Sequence, residues 1–417
     1  MLDAKWATEL SLTKHRSDKK INIMLHFMEK TSAFNIVGSG LLMVAATYGL
    51  SRYTYGLFVP SITETFSLGQ SVIGVIGSAS YMGYLMATLV SPFLVRRYGP
   101  RLPILLGGIF ASLGMGLIGI AQTSLMLALG VIIAGCSPGL SYPPMSDAIK
   151  KLCVEKSQNR YYSLINSGTS FGILLSGPLA LMVGKNWQQA WLLFSLIALM
   201  ATLWCSLIMP GSSKPPTRNI SDKNNYFHLL HQRLKEVQVK RLFFGALLFG
   251  LTTAIYWTFS IALLEDYMGD NKDISGSVFW ILMGIAGLAG SLAGDLVTRF
   301  GLIFALRWSL LVITSAIVLL PASMGNVGVA LLSATLFGAT FILITALYGI
   351  WSTSCFKDAP AIGFGFTFFL ISAGQLLSPA LAGALAEIWS MTGVFYVTGM
   401  VSLLSLMLLP LKDIRQM

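Results

Sequence analysis

Charge is what this chain has least of. Only 11% of its 417 residues are Asp, Glu, Lys or Arg, where a soluble globular protein carries about 25%. With 55% hydrophobic residues and a mean hydropathy of +0.72, a water-soluble fold is excluded and an integral membrane protein is expected. Histidine is scarce too, and His15, His26, His228 and His231 all lie outside the long apolar runs. The four cysteines (Cys136, Cys153, Cys205, Cys355) form no CxxC pair, so they read as small apolar core residues, with no disulfide expected. No HExxH, no Walker glycine loop and no Ser-His-Asp set with its histidine in an apolar run occurs. These absences point away from an enzyme, from ATP-driven pumping and from any resident cofactor or metal. The net charge of +11 is spread between apolar runs and not gathered in a patch, which argues against nucleic acid as a partner.

In place of charge there are long uncharged runs: 31–63, broken only by Arg52, then 65–95, 102–146, 161–184, 186–213, 242–264, 274–294, 308–356, 359–386 and 388–411. A hydrocarbon core about 30 Å thick needs about 20 apolar helical residues. The runs are too long for barrel strands and lack their alternation. Two are long enough for helical hairpins, with breaks at Gln122-Thr123-Ser124 and between Pro321 and Asn326. The sequence therefore predicts an all-α membrane protein with twelve transmembrane helices.

Of the 28 basic residues, 25 fall on one side of that arrangement, Lys185 and Lys272 on the other, and Arg52 in a span. So steep an asymmetry predicts cytoplasmic termini in a cell (inner or plasma) membrane. The expected divisions are a cytoplasmic tail (1–35), a six-helix half (36–210), a Pro-, Ser- and Lys/Arg-rich linker (211–241), a second six-helix half (242–411) and a short C-terminus (412–417). Residues 1–30 read as a disordered polar extension and not a signal peptide, with Met24 and Met28 as alternative starts. Phe227 to Lys240 has the character of a helix along the membrane surface.

The second helix (about Ser71 to Val95) ends in SPFLVRRYGPRLP and the eighth (about Ser275 to Val297) in AGDLVTRFGLIF. Arg97-Tyr98-Gly99 thus falls over Arg299-Phe300-Gly301 at an offset of 202 residues, near half the chain. Six plus six helices, a basic central loop and Arg-aromatic-Gly after helices 2 and 8 resemble the major facilitator superfamily. The loop 2–3 motif of that family is roughly G-x-L-A-D-R-[FY]-G-R-[KR]. Leu94, Arg97, Tyr98, Gly99 and Arg101 match it, with Pro92 for the glycine and Arg96 for the aspartate. The second copy keeps Gly294, Leu296, Arg299, Phe300 and Gly301, with Thr298 at the acidic position.

The resemblance implies two pseudo-symmetric halves and a secondary transporter of a small molecule, working by alternating access as a monomer in the lipid bilayer. It implies a gating role for Arg97, Gly99, Arg101, Arg299 and Gly301. A coupling proton is usual in the superfamily, although no residue here is evident for it. Gly168, Gly172 and Gly177-Pro178 in helix 5 resemble a motif of efflux members. Close packing through small residues is the plainer reading, and it covers Gly284, Gly287, Gly290 and Gly294 of helix 8 as well.

Arg52 is the residue of greatest interest. Burying a guanidinium at bilayer depth costs at least ~2.5 to 3.5 kcal/mol, so a polar cavity and a partner are expected. On a regular helix Tyr48 and Tyr55 share its face. In the resembled family helices 1, 4, 7 and 10 line the central cavity. That adds Tyr256 and Trp257 from helix 7, Tyr142 with Ser137 and Pro138 from helix 4, and Thr340, Thr345 and Tyr348 from helix 10. Gln375, with Ser372 and Phe368, is placed to reach in from helix 11.

No carboxylate lies at mid-depth; Glu64, Asp147, Glu265, Asp295 and Glu387 all fall at expected helix ends. The simplest counter-charge for Arg52 is then the substrate, a small organic anion and most simply a carboxylate. Sugar-acid and organic-anion transporters of the superfamily are similar in carrying an arginine on helix 1, and the Arg-aromatic-x-Tyr-Gly pattern of Arg52 to Gly56 resembles cyanate-permease-like and YbfB/YjiJ-type members. A drug or metabolite exporter of the same fold is the alternative, favoured by the helix 5 glycines and opposed by the buried cation. A non-transporting receptor or membrane enzyme ranks below both.

Overall fold

The computed structural model describes residues 34–152, 155–184, 186–209, 232–268, 272–357 and 359–411. The N-terminal extension, Cys153, Lys185, the 210–231 segment and the last six residues lie outside them, as does the first part of the expected surface helix. Among the described residues, twelve helices are long and apolar enough to cross a membrane. They are α1 (Phe34–Phe66), α2 (Gln70–Tyr98), α3 (Arg101–Gly119), α4 (Ser124–Ile149), α5 (Ser163–Val183) and α6 (Trp187–Ile208). After residues 210–231 follow α7 (Val237–Tyr267), α8 (Gly276–Phe300), α9 (Leu302–Ala322), α10 (Val327–Cys355), α11 (Ile362–Ile388) and α12 (Met391–Leu408). Val237 to Lys240 therefore open α7 and do not belong to a surface helix. Both expected hairpin breaks occur, and Asn326 caps α10 by accepting from the Val329 amide at 3.3 Å.

Twelve crossings put the start of α1 and the end of α12 on one side, here the terminal face. On that face the two copies of the Arg-aromatic-Gly motif fold alike. Gly99 (φ 79°) and Gly301 (φ 84°) adopt a backbone open to glycine and costly for other residues. Each donates its amide to the carbonyl four residues back, Val95 at 2.8 Å and Val297 at 2.9 Å. Arg97 lies 5.3 Å from the Tyr98 ring and Arg299 5.2 Å from the Phe300 ring. Arg101 donates to the Ser206 carbonyl at 2.5 Å, tying the start of α3 to the end of α6.

Lipid gives helices no hydrophobic reason to associate, so contact rests on close approach, which small residues permit. A Cβ on Gly172 of α5 would sit 2.3 Å from the Ala45 carbonyl of α1, and one on Gly284 of α8 would sit 2.5 Å from the Leu174 amide of α5. Close packing thus holds at Gly168, Gly172, Gly177, Gly284, Gly287 and Gly290, but not at Gly294, where a Cβ would meet nothing within 4 Å.

The two halves close against each other away from the terminal face. A Cβ on Gly56 (α1) would overlap the Trp257 carbonyl of α7, and Cβ atoms on Gly74 and Gly383 would press on the Pro379 and Gln70 carbonyls where α2 meets α11. Ser78 Oγ accepts from the Ala380 amide at 3.0 Å, and Glu387 Oε1 from the Ser71 amide at 3.1 Å.

Winding departs from α in α8, which is 3₁₀ over Leu288–Leu292, in α12, which ends as 3₁₀ over Ser405–Leu408, and most extensively in α1. α1 winds as a π-helix over Ala45–Tyr53, tightens to a 3₁₀-helix over Thr54–Phe58 and returns to α over Val59–Phe66. Wide π turns inside α-helices are frequent at functional sites. Here Thr54 Oγ1 donates to the Gly49 carbonyl five residues back at 2.8 Å, and Gly49 itself is pressed against Gly172.

Candidate functional site

Arg52 sits in the π segment and is 5% exposed. Its Nη2 donates to Gln375 Oε1 on α11 at 2.7 Å, a bond between the first half and the second. Four tyrosine rings surround the guanidinium: Tyr84 at 4.0 Å, Tyr81 at 5.0 Å, Tyr53 at 5.5 Å and Tyr48 at 5.7 Å. Such rings attract a cation through their quadrupoles, more strongly where water is excluded. Arg52 Nε and Gln375 Nε2 are both buried, and neither is in hydrogen-bonding geometry with an acceptor among the described residues. Among the described residues no carboxylate pairs with Arg52; its charge is met by π faces and one amide oxygen.

Several expected residues converge here. Tyr48 is half-buried, donates to the Tyr84 hydroxyl at 3.4 Å and meets the Tyr142 ring edge-on at 5.4 Å. Trp257 reaches the site through Tyr53, whose ring lies 4.4 Å from its own, and its indole N–H is unpartnered. Gln375 reaches in from α11 as expected. Beside them Ser51 donates to the Ala134 carbonyl at 2.7 Å and lies 3.1 Å from Ser137 Oγ. Ser137 is therefore engaged in holding α1 to α4.

Other expected residues turn away. Tyr55 does not flank Arg52, since the change from π to 3₁₀ winding carries it toward α2, where its hydroxyl donates to the Ile73 carbonyl at 3.2 Å. Tyr53 takes the place assigned to it. Tyr256 stacks on Phe337 at 3.8 Å with its hydroxyl 2.7 Å from Ser333 Oγ, inside the second half. Tyr348 is buried against Phe249 and Trp351. Thr340 and Thr345 donate to carbonyls of their own helix. Tyr53, Tyr81 and Tyr84 are the residues that reading the sequence missed. Tyr81 and Tyr84 stand three apart, on one face of α2.

Known proteins can now be set beside this geometry. A family-level match to the Major Facilitator Superfamily covers residues 41–373. The chain belongs to that superfamily. It is 22% identical over 382 residues, 84% of this chain and 87% of the relative, to the hexuronate transporter of Bacillus subtilis (strain 168). It is 25% identical to the sialic acid transporter NanX of Escherichia coli (strain K12), over 75% of this chain and 78% of that one. Multidrug resistance protein 1 of Bacillus subtilis (strain 168) is 21% identical over 79% and 84% of the two chains. A crystal structure of a mutant of the nucleoside transporter NupG shares the fold, with a TM-score of 0.73 over 89% of this chain and 98% of that one at 12% identity. This superfamily member is a multi-pass membrane transporter of small solutes and not an enzyme.

Proposed function

We propose that this transporter carries a small organic anion, most simply a carboxylate, bound at Arg52 and exchanged between the two sides of the membrane by rocking of its halves. The observation that carries this reading is a buried guanidinium with no carboxylate partner among the described residues, its Nε unmet, beside a second buried donor without an acceptor, the Trp257 indole N–H. A site of unmet donors around a fixed positive charge favours a ligand that brings acceptors and negative charge. The hexuronate and sialic acid relatives transport carboxylates, which supports the same class. We assign Tyr48, Tyr53, Tyr81, Tyr84 and Trp257 to the walls of the site. The halves are taken as 36–210 and 242–411, with the terminal face cytoplasmic in a plasma membrane.

A thermal-shift screen of the purified protein tests this, because a ligand that binds the folded state alone stabilises it by mass action. Hexuronates, sialic acid and short monocarboxylates should raise the melting temperature, while neutral sugars of the same size should not. The aromatic walls and the multidrug relative support a second reading, a drug or metabolite exporter, which the buried charge of Arg52 opposes. Stabilisation by lipophilic cations and by no carboxylate would establish it in place of the first. A reporter fused after Met417 should be active in the cytoplasm; activity on the external side would reverse the topology.

A further inference from the structure

The bond from Arg52 to Gln375 is a neutral amide oxygen placed on a guanidinium, where a carboxylate oxygen would bind more strongly. We infer that Gln375 is an internal stand-in for the substrate: it holds Arg52 in the empty protein, and the substrate's anionic group displaces it and so releases α11 from α1. This rests on the anion reading above, and adds to it a trigger for the conformational change.

Three observations carry it. Among the described residues Gln375 is the one side chain that hydrogen-bonds Arg52, and that bond crosses the two halves, 323 residues apart in the chain. Both groups keep one buried donor free, Nε on Arg52 and Nε2 on Gln375, so the contact is a partial match that a ligand with two acceptor oxygens could better. The third is position. One helical turn beyond Gln375, α11 contains Pro379, whose carbonyl presses on Gly74 of α2. The amide of Ala380, the next residue, is held by Ser78 of α2 and not only by its own helix. The segment that closes the face opposite the terminal one thus starts one turn from the residue that touches the cation. A proline at that point cannot donate to the helix ladder and is where α11 bends most cheaply.

The stand-in therefore adds to the stability of the state closed on that face, and removing it should raise the population open there. A ligand gains affinity when a competing internal contact is removed, because the competent state is no longer a minor one. A residue that only contacts substrate would have the opposite effect.

The test uses two variants in the full-length protein, with spin labels on Thr123 and Met324, at the α3–α4 and α9–α10 turns of that same face. Gln375→Glu replaces the amide with a permanent carboxylate and should shift the ligand-free distance distribution toward the short, closed form. Gln375→Met keeps the volume, removes the hydrogen bond and should move the open-to-closed ratio about tenfold toward open, the scale of one hydrogen bond to a charged group. With glucuronate as probe, Gln375→Met should bind at least as tightly as wild type, and Gln375→Glu should not bind. Unchanged distances in the methionine variant overturn the inference, even where the glutamate variant fails to fold. Weaker glucuronate binding by the methionine variant also overturns it, making Gln375 an ordinary contact. If distances move as expected while no protein, wild type included, binds any carboxylate, the latch stands and the anion reading falls.

Discussion

The middles of α1 and α7 occupy matching places in the two halves and are built differently. The offset between Arg97 and Arg299 carries Arg52 of α1 to Ala254 of α7. Around Arg52 the helix is wound as π, a charge is buried, and donors are left unmet. Around Ala254 the helix is regular, and its neighbours Tyr256 and Trp257 pack into rings from Phe279, Phe337, Phe341 and Phe395. One duplicated fold thus holds its polar chemistry in the first half and a filled aromatic core in the second. The second half reaches the cation through Gln375 on α11, and through Trp257 stacked on Tyr53.

The comparison breaks most visibly where the core is fullest. Phe337 is fully buried, 3.8 Å from Tyr256 and 5.4 Å from Trp257. Phe337→Ala should lose about 3 to 5 kcal/mol of stability, the usual cost of a large-to-small change in a packed core. Thermal unfolding measures it, and affinity for a stabilising carboxylate should stay within about twofold in whatever protein remains folded, since truncation there removes no contact to Arg52. A large affinity loss would show that the second-half core is itself part of the site.

Arg52 should show the reverse pattern. Arg52→Gln removes a charge-assisted contact to the ligand worth roughly 1.5 to 3 kcal/mol, at least a tenfold loss in affinity. Arg52→Lys keeps the charge but loses the planar fork, and should fall between the two. Uptake into proteoliposomes reads transport and calorimetric titration reads affinity. Unchanged affinity in Arg52→Gln sinks the anion site.

The two glycine turns test whether the halves are equal where the comparison says they are. Gly99→Ala and Gly301→Ala each force a Cβ onto a positive-φ backbone, at a cost of order 1 to 3 kcal/mol. The two losses in melting temperature should match closely. A large disparity would mean that the repeat is one of sequence more than of mechanics.

How far the sequence could be read follows from which features are local. The spans, the hairpin breaks and the 202-residue repeat are written in composition and turn residues, and the structure has them. Arg52 was legible because a lone charge in an apolar run is conspicuous, and Gln375 because it is polar at mid-depth. Tyr55 differs from expectation by phase: a regular 3.6-residue period does not run through a segment wound as π and then 3₁₀. The signal available was Gly49 and Gly56 bracketing Arg52, each at a point where another helix presses on α1. Tyr81 and Tyr84 fall outside a cavity lined by helices 1, 4, 7 and 10, because the ring nearest the guanidinium comes from α2. Tyr256 and Tyr348 could not be told from cavity residues without knowing which way their rings turn.

The smallest effect distinguishes what a hydroxyl does in each half. Tyr256→Phe leaves the ring on Phe337 and deletes a short buried contact to Ser333, 2.7 Å. Ser333 also donates to the Ala316 carbonyl at 2.7 Å, so it is not left unsatisfied. The loss should be about 0.5 to 1.5 kcal/mol of stability with no change in ligand affinity. Tyr84→Phe keeps the ring 4.0 Å from the guanidinium and deletes only the 3.4 Å bond from Tyr48, so stability should move less than in Tyr256→Phe. Its consequence should be in recognition: a phenol hydroxyl beside the cation can donate to an anion, and its loss should weaken carboxylate binding by a few-fold. Melting curves with and without glucuronate separate the two readouts. If Tyr256→Phe weakens binding while Tyr84→Phe costs only stability, the polar site lies in the second half and the assignment of chemistry to the first is wrong.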